Sequence, residues 1–305
     1  MKTMEVAFLF GAGASFGSDV QGTPPLGPGL FDDLRRLRPD SWGTITGTLA
    51  EHFRSNFEDT LNEVPQTALG PLQRAMAAYF FEFTPRPSNL YVALARRIAS
   101  LPGWSGAACT LNYERMLEMS FLAAGLRPFV AQPRTSATQV GFELCFPHGC
   151  CHWFCDADAI HARPGVYFRA MAVQFNTRRV SVISDPQQHR DRILHNAIPP
   201  VMSYFEPMKR TTAGHLFIEE QRARWRALAL AAATIVIVGV RVRPHDEHVW
   251  APVAASTARV VYCGGARGAS EYQVWAATAR TGRADLVLNG YFRDEFATIC
   301  TEAGL

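Results

Sequence analysis

The stretch Val6-Ala7-Phe8-Leu9-Phe10-Gly11-Ala12-Gly13-Ala14-Ser15 sets the reading of the whole chain. Its five leading apolar residues are too few for a buried helix and do not alternate with polar ones. They suit a strand covered on both faces in a parallel sheet. The glycines after it mark the strand's carboxyl end, where a turn without β-carbons lets backbone amides approach a pyrophosphate and a following helix start lends its positive end. The dinucleotide fingerprint would place a third glycine at position 16, but Phe16 stands there and Gly17 comes one later. Taken alone, the turn is also compatible with a plain strand-to-helix connection.

Similar apolar runs bounded by glycine or proline recur at residues 107–111, 142–146, 180–183, 234–240, 259–263 and 284–288. Helical patterns lie between them at 71–83, 90–100, 114–124, 214–232 and 246–256. This alternation predicts an α/β fold, a doubly wound parallel Rossmann-like sheet. Two stretches break it. Residues 38–100 read as helices with no strand, and 150–200 are irregular, with Pro164, Pro186 and the Pro199-Pro200 pair. The expected organisation is a Rossmann-like domain of residues 1–37, 101–149 and 201–305, a helical insertion at 38–100 and a small mixed insertion at 150–200.

The composition removes several function classes. With 305 residues, 48% hydrophobic and 19% charged, the chain can bury a full core, which excludes disorder as its main property. Lys occurs only at Lys2 and Lys209, yet 30 basic residues face 27 acids for a net charge of +3, a balance that does not indicate nucleic-acid binding. The longest apolar run, residues 228–240, is well short of the ~20 residues that cross a bilayer. The first apolar run leads into a glycine turn and not a cleavage site, so it reads as a strand and not a signal peptide. Seven cysteines without repeated spacing fit a reducing cytoplasm better than a disulfide framework.

Two further motifs follow predicted strands. In Thr110-Leu111-Asn112-Tyr113-Glu114, Asn112 stands where strand ends face a ligand crevice and offers both a donor and an acceptor, although an asparagine there can also cap a helix. In Phe146-Pro147-His148-Gly149, His148 occupies the equivalent place and can exchange a proton near neutral pH.

Gly-Ala-Gly-x-Ser, then Thr-x-Asn-Tyr-acid, then His-Gly occur in the order used by the sirtuin superfamily, which the sequence resembles. The resemblance continues into Ile198-Pro199-Pro200, Ile237-Val238-Gly239-Val240 and Asp246-Glu247-His248, which look like the glycine strand and acidic turn of bacterial sirtuin-like proteins. It implies a sheet that binds NAD as substrate. Gly11, Ala12, Gly13 and Ser15 would hold the pyrophosphate, Thr110, Gly239 and Asp246 would make further NAD contacts, and Asn112 and His148 would flank the nicotinamide ribose as the catalytic pair. Two features of protein deacylases are missing. Thr23-Pro24-Pro25-Leu26-Gly27 replaces their acidic-Phe-Arg tripeptide, and no paired Cys-x-x-Cys knuckles follow Gly149.

Cys145, Cys150, Cys151, His152 and Cys155 form one dense cluster and not two separated ligand pairs, so no structural zinc is expected and buried thiols packing a transition into the lobe are the simpler reading. His245, Asp246 and His248 share a helical spacing that could hold a metal, but Asp246 suits a helix cap or a ribose hydroxyl better. Arg222, Arg224 and Arg226 spread around a helix and read as a solvated face.

The resemblance implies an NAD glycohydrolase of bacterial anti-phage defence, cleaving NAD to nicotinamide and ADP-ribose in the cytoplasm. Because free NAD hydrolysis is toxic, an activating partner protein or self-assembly is expected. The competing readings are an NAD-dependent protein deacylase and a non-catalytic NAD or ADP-ribose sensor.

Overall fold

The first strand is buried along its whole length, as its unbroken apolar sequence requires. The computed structural model describes residues 5–130, 142–155, 179–196, 198–203, 213–243 and 246–305. Among these residues the strands are β1 (Val6–Phe10), β2 (Gly106–Thr110), β3 (Pro128–Val130), β4 (Phe142–Cys145), β5 (Trp153–Cys155), β6 (Val180–Val182), β7 (Thr234–Val238), β8 (Arg259–Cys263) and β9 (Leu286–Leu288). Seven of them form one sheet in the order β3-β4-β2-β1-β7-β8-β9, with all its pairings parallel. Phe10 pairs with Thr110 on one side and with Val238 on the other, so three strand ends finish level.

Helices cover both faces, which makes the sheet doubly wound. They are α1 (Ala12–Phe16), α2 (Gly27–Leu37), α3 (Gly47–Ser55), α4 (Phe57–Thr60), α5 (Gln66–Phe81), α6 (Leu90–Ser100), α7 (Met116–Ala123), α8 (Pro186–His195), α9 (His215–Ala231), α10 (Glu247–Ala255), α11 (Gly265–Ala279) and α12 (Phe292–Glu302). The two-residue period of β1 divides its side chains between the faces. Ala7 and Leu9 join Trp225 of α9, Trp250 of α10 and Tyr272 of α11 in one core. Phe8 and Phe10 join Tyr91 of α6, Phe121 of α7 and Phe292 of α12 in the other.

Residues 38–100 contain no strand among the described residues, as expected, but their helices divide in two. Trp42 stacks on Phe57 with centroids 5.5 Å apart and Phe31 on Phe53 at 5.0 Å, so α3 and α4 pack with α2 through an aromatic group continuous with the core on that sheet face. The α6 helix instead lies on the sheet, with the Tyr91 ring edge-on to Phe10 at 5.2 Å. The α5 helix begins at Gln66, ahead of the expected start, with Pro71 inside it.

One expected strand sits elsewhere. Residues 180–183 read as part of the parallel sheet, but β6 pairs antiparallel with β5 in a separate two-stranded ribbon. Its residues are only partly buried, with Val182 exposed, so no sheet face covers them on both sides. The short strands β3 and β5 escaped the sequence reading; three residues carry too little periodicity to register.

Candidate functional site

Strand β1 lies where the sheet order changes direction, since later strands add to both of its sides. In such sheets the crevice opens beyond the strands' carboxyl ends at this point. Two glycine turns meet there. The Gly11 amide donates to the Val238 carbonyl at 2.9 Å, the Gly13 amide to the Gly239 carbonyl at 3.1 Å, and the Gly239 amide to the Cys263 carbonyl at 2.8 Å. Gly239 has φ +66°, and a β-carbon on it would lie 2.1 Å from the Ala14 amide nitrogen. A β-carbon on Gly11 would lie 2.6 Å from the Gly239 carbonyl oxygen. The turns therefore interlock as bare backbone. Ala12 is exposed and Gly13 half-buried on the outer side of the turn. The helix that follows is only five residues long, ending at Gly17, so it supplies less dipole than the long helix a dinucleotide fingerprint introduces.

Asn112 is anchored to this junction. Its Nδ2 donates to the Gly11 carbonyl at 3.1 Å and to Ser15 Oγ at 2.8 Å. A backbone carbonyl only accepts, so the atom facing Gly11 is the amide nitrogen, and both of its hydrogens are used. Oδ1 is the acceptor left for a ligand or water. Ser15 is itself fully committed. It donates its proton to Glu114 Oε1 at 2.5 Å and accepts from Asn112, so Tyr91, 3.0 Å away, must be the donor in the remaining bond. Burial pushes the Tyr91 hydroxyl well above its ordinary range, with the Glu114 charge adding to it, which keeps that donor protonated. Burial also raises Glu114, opposed by its bonds from Ser15 and the Met116 amide. Glu114, not Asn112, therefore serves the start of α7, whose first residue is Met116. Thr110 Oγ1 accepts from the Asn112 amide at 3.1 Å and steadies the same residue from behind.

His148 follows β4 and is almost fully buried. Its carbonyl accepts from the Ser203 amide at 2.8 Å, and its Nε2 lies 2.9 Å from Nε2 of His248 in the first turn of α10. Gly149 next to it has φ +78°, and a β-carbon there would collide with the Val201 carbonyl oxygen at 1.9 Å. The His-Gly pair is thus dictated by the close passage of residues 198–203. That segment also reaches the asparagine strand end, because the Tyr113 hydroxyl donates to the Ser203 carbonyl. Asp246 stands immediately before α10, yet its side chain makes no capping bond. One of its carboxylate oxygens instead lies within 4.8 Å of ring nitrogens of His148 and His248. His245 lies outside the described residues.

Arg222 departs from the expected solvated face. Its side chain is 13% exposed and donates to Ser203 Oγ at 3.0 Å and Glu219 at 2.9 Å. Burial lowers its ordinary value, opposed by Glu219, Tyr113 and Asp246; a guanidinium keeps its charge all the same, which puts a cation beside the His148 cluster. Arg224 clamps Glu143 of β4 with two bonds, and Arg226 is exposed. Alternation along the helix hid this, because it says nothing of what a long side chain reaches.

The thiols Cys145, Cys150, Cys151 and Cys155 are buried and form no disulfide. Sulfurs of Cys150 and Cys151 and a nitrogen of His152 lie within 4.8 Å of one another. His152 bridges Cys150 at 3.2 Å and Glu118 at 2.9 Å.

Gly11, Gly13, Ser15, Thr110, Asn112 and Gly239 are therefore joined by hydrogen bonds at one sheet end, with Ala12 on the outside of the same turn. His148 and Asp246 form a neighbouring cluster, linked to the first through Ser203 and Tyr113. Sequence reasoning missed Tyr91 and Ser203, put Arg222 on a solvated face, and weighed His248 only as a metal ligand beside His245 and Asp246.

No family model matches the chain, and no curated protein matches it. Among solved structures, a serine-to-alanine mutant of a Sir2 homologue in complex with ADP-ribose is similar at TM-score 0.50 and 13% identity, covering 99% of this chain and 93% of that one. A histidine-to-asparagine mutant of a Sir2 homologue in complex with ADP-ribose is similar at TM-score 0.51 and 14% identity, with the same coverage. The chain has a sirtuin-like, Rossmann-like α/β fold.

Proposed function

We propose that this chain is an NAD glycohydrolase that cleaves NAD to nicotinamide and ADP-ribose. The observation that carries the reading is the locked amide of Asn112, set against interlocked glycine turns at the point where the sheet changes direction. The ADP-ribose bound by both Sir2 homologues supports the choice of ligand. The residues fit such a group: the exposed Ala12 and half-buried Gly13 give a pyrophosphate access to the turn, and Arg222 adds a cation beside the His148 cluster.

The reaction breaks the bond between C1′ of the ribose and the nicotinamide nitrogen. The bonding electron pair leaves with nicotinamide, which departs neutral, so little acid catalysis is needed. Water adds to C1′ through a cationic, oxocarbenium-like ribose. Asn112 Oδ1 accepts a hydrogen bond from that water or from a ribose hydroxyl and orients it. His148 takes the proton released.

Deacylation would use the same carbon with an acyl-lysine oxygen as nucleophile, but the sequence at Thr23–Gly27 departs from the deacylase pattern. We place the enzyme in bacterial anti-phage defence and in the cytoplasm, restrained by a partner protein or by self-assembly; these assignments rest on the sequence resemblance. No helix among the described residues is long and apolar enough to cross a membrane.

Incubating the purified protein with NAD, with and without an acetylated peptide, and separating the products tests the proposal. Nicotinamide and ADP-ribose without peptide are expected. Release that requires the peptide would make the chain a deacylase, and tight binding without release would make it a sensor.

A further inference from the structure

His148 and His248 come together across 100 residues of sequence, their Nε2 atoms 2.9 Å apart, with an Asp246 carboxylate oxygen inside the same 4.8 Å sphere. Two imidazole nitrogens in contact need one proton between them, one ring donating and the other accepting. A cation can replace that proton and use both lone pairs. Tetrahedral zinc, with Zn–N bonds of about 2.0–2.1 Å, holds its ligand nitrogens ~3.3 Å apart, so the two rings need to part by only about half an ångström. Two imidazoles and a carboxylate are a donor set for zinc and its first-row neighbours. His248 is only partly buried, which gives an ion access and leaves a coordination position for water. The root of His148 is already fixed by the Ser203 amide and by the turn at Gly149.

We propose that His148, Asp246 and His248 form a divalent transition-metal site, suited to zinc, whose filling switches the enzyme off. An imidazole nitrogen that holds a metal has no lone pair with which to take a proton. The inhibitory consequence rests on the glycohydrolase reading, whereas metal binding does not. This site is distinct from the thiol cluster of Cys150, Cys151 and His152, which is wholly buried and whose histidine is already tied to Glu118.

The test uses the full chain, stripped of metal and titrated with Co2+ as a zinc surrogate, followed by visible absorption and calorimetry without NAD. One equivalent is expected, with nitrogen and oxygen ligand bands and no thiolate charge-transfer band. His248→Ala and Asp246→Asn should each weaken binding by more than the roughly 10- to 100-fold that loss of an outer hydrogen-bonding partner costs, with melting curves confirming that both are folded. Cys150→Ser should leave it unchanged. In a second arm, Zn2+ should inhibit NAD cleavage by the wild type, a chelator should reverse it, and the inhibitory concentration should rise in His248→Ala by the factor seen for Co2+. No Co2+ uptake, or uptake lost in Cys150→Ser and kept in His248→Ala, overturns the site. Binding without inhibition overturns the switch. A metal-free wild type that never cleaves NAD refutes the glycohydrolase reading and the switch with it, while the Co2+ titration still decides the site.

Discussion

Ser15 determines which way round the Asn112 amide sits, with Nδ2 committed and Oδ1 the remaining acceptor. Its oxygen takes one Asn112 hydrogen and one Tyr91 proton while its own proton goes to Glu114, so the amide has one orientation that satisfies every partner. Ser15→Ala should leave buried Glu114 Oε1 without that bond, at a cost of about 1–3 kcal/mol of stability. Because Ser15 acts through Asn112, NAD cleavage should fall in kcat more than in KM, measured on the folded variant. Unchanged kcat would show that the amide needs no such support. Buried His189 acts on stability instead. It stacks on Phe81 at 3.8 Å and donates from Nε2 to the Cys151 carbonyl, and burial first of all lowers it from 6.5 to about 4. Between those values the unfolded chain binds a proton that the folded chain refuses, so stability rises with pH. Acidification from pH 6.5 to 4 should therefore cost up to about 3 kcal/mol through this group, and His189→Gln should flatten that part of the pH–stability curve.

At the scale of elements, the site is a junction of two strand-end turns. Gly239→Ala must place a β-carbon against Ala14 with φ +66°, whereas Gly282, also at positive φ (+77°), has nothing within 4 Å of the same atom. Gly282→Ala should cost only the roughly 1–2 kcal/mol of the left-handed backbone. Gly239→Ala should cost more in thermal unfolding and also abolish NAD binding; equal losses in the two variants would contradict the interlocking. The strands that frame this junction were legible because each carries an unbroken apolar run. The ribbon strand at Val180–Val182 was misplaced because a short run of valine and serine reads the same whether a sheet covers one face or both. The placement of Asn112, His148 and the glycines just beyond strand ends was legible because each follows an apolar run. Tyr91, Ser203 and Arg222 could not be picked out, since each arrives from a distant element through contacts that no periodicity encodes.

At the scale of the molecule, both sheet faces are covered, and the far edge is fastened separately from the site. Arg280 is buried, donates to the carbonyls of Val253 and Ala258, and pairs with Asp285 at 2.6 Å, which also accepts from Tyr272. Removing one partner of a buried ion pair typically costs about 3–5 kcal/mol, so Arg280→Ala should lower denaturant stability by that order. The KM for NAD of the protein that remains folded should not change. A large KM shift would mean that this edge and the crevice form one cooperative unit.

The most direct measurement is nicotinamide release from NAD by the wild type, Asn112→Ala and His148→Ala, each confirmed folded and each assayed for NAD binding. The account predicts binding by all three and release by the wild type under activating conditions. Release should be about 10²- to 10⁴-fold slower without the general base His148, comparably slower without Asn112, and hardly slower still in the double variant. Full activity in His148→Ala, or no release by an activated wild type that binds NAD tightly, would contradict it.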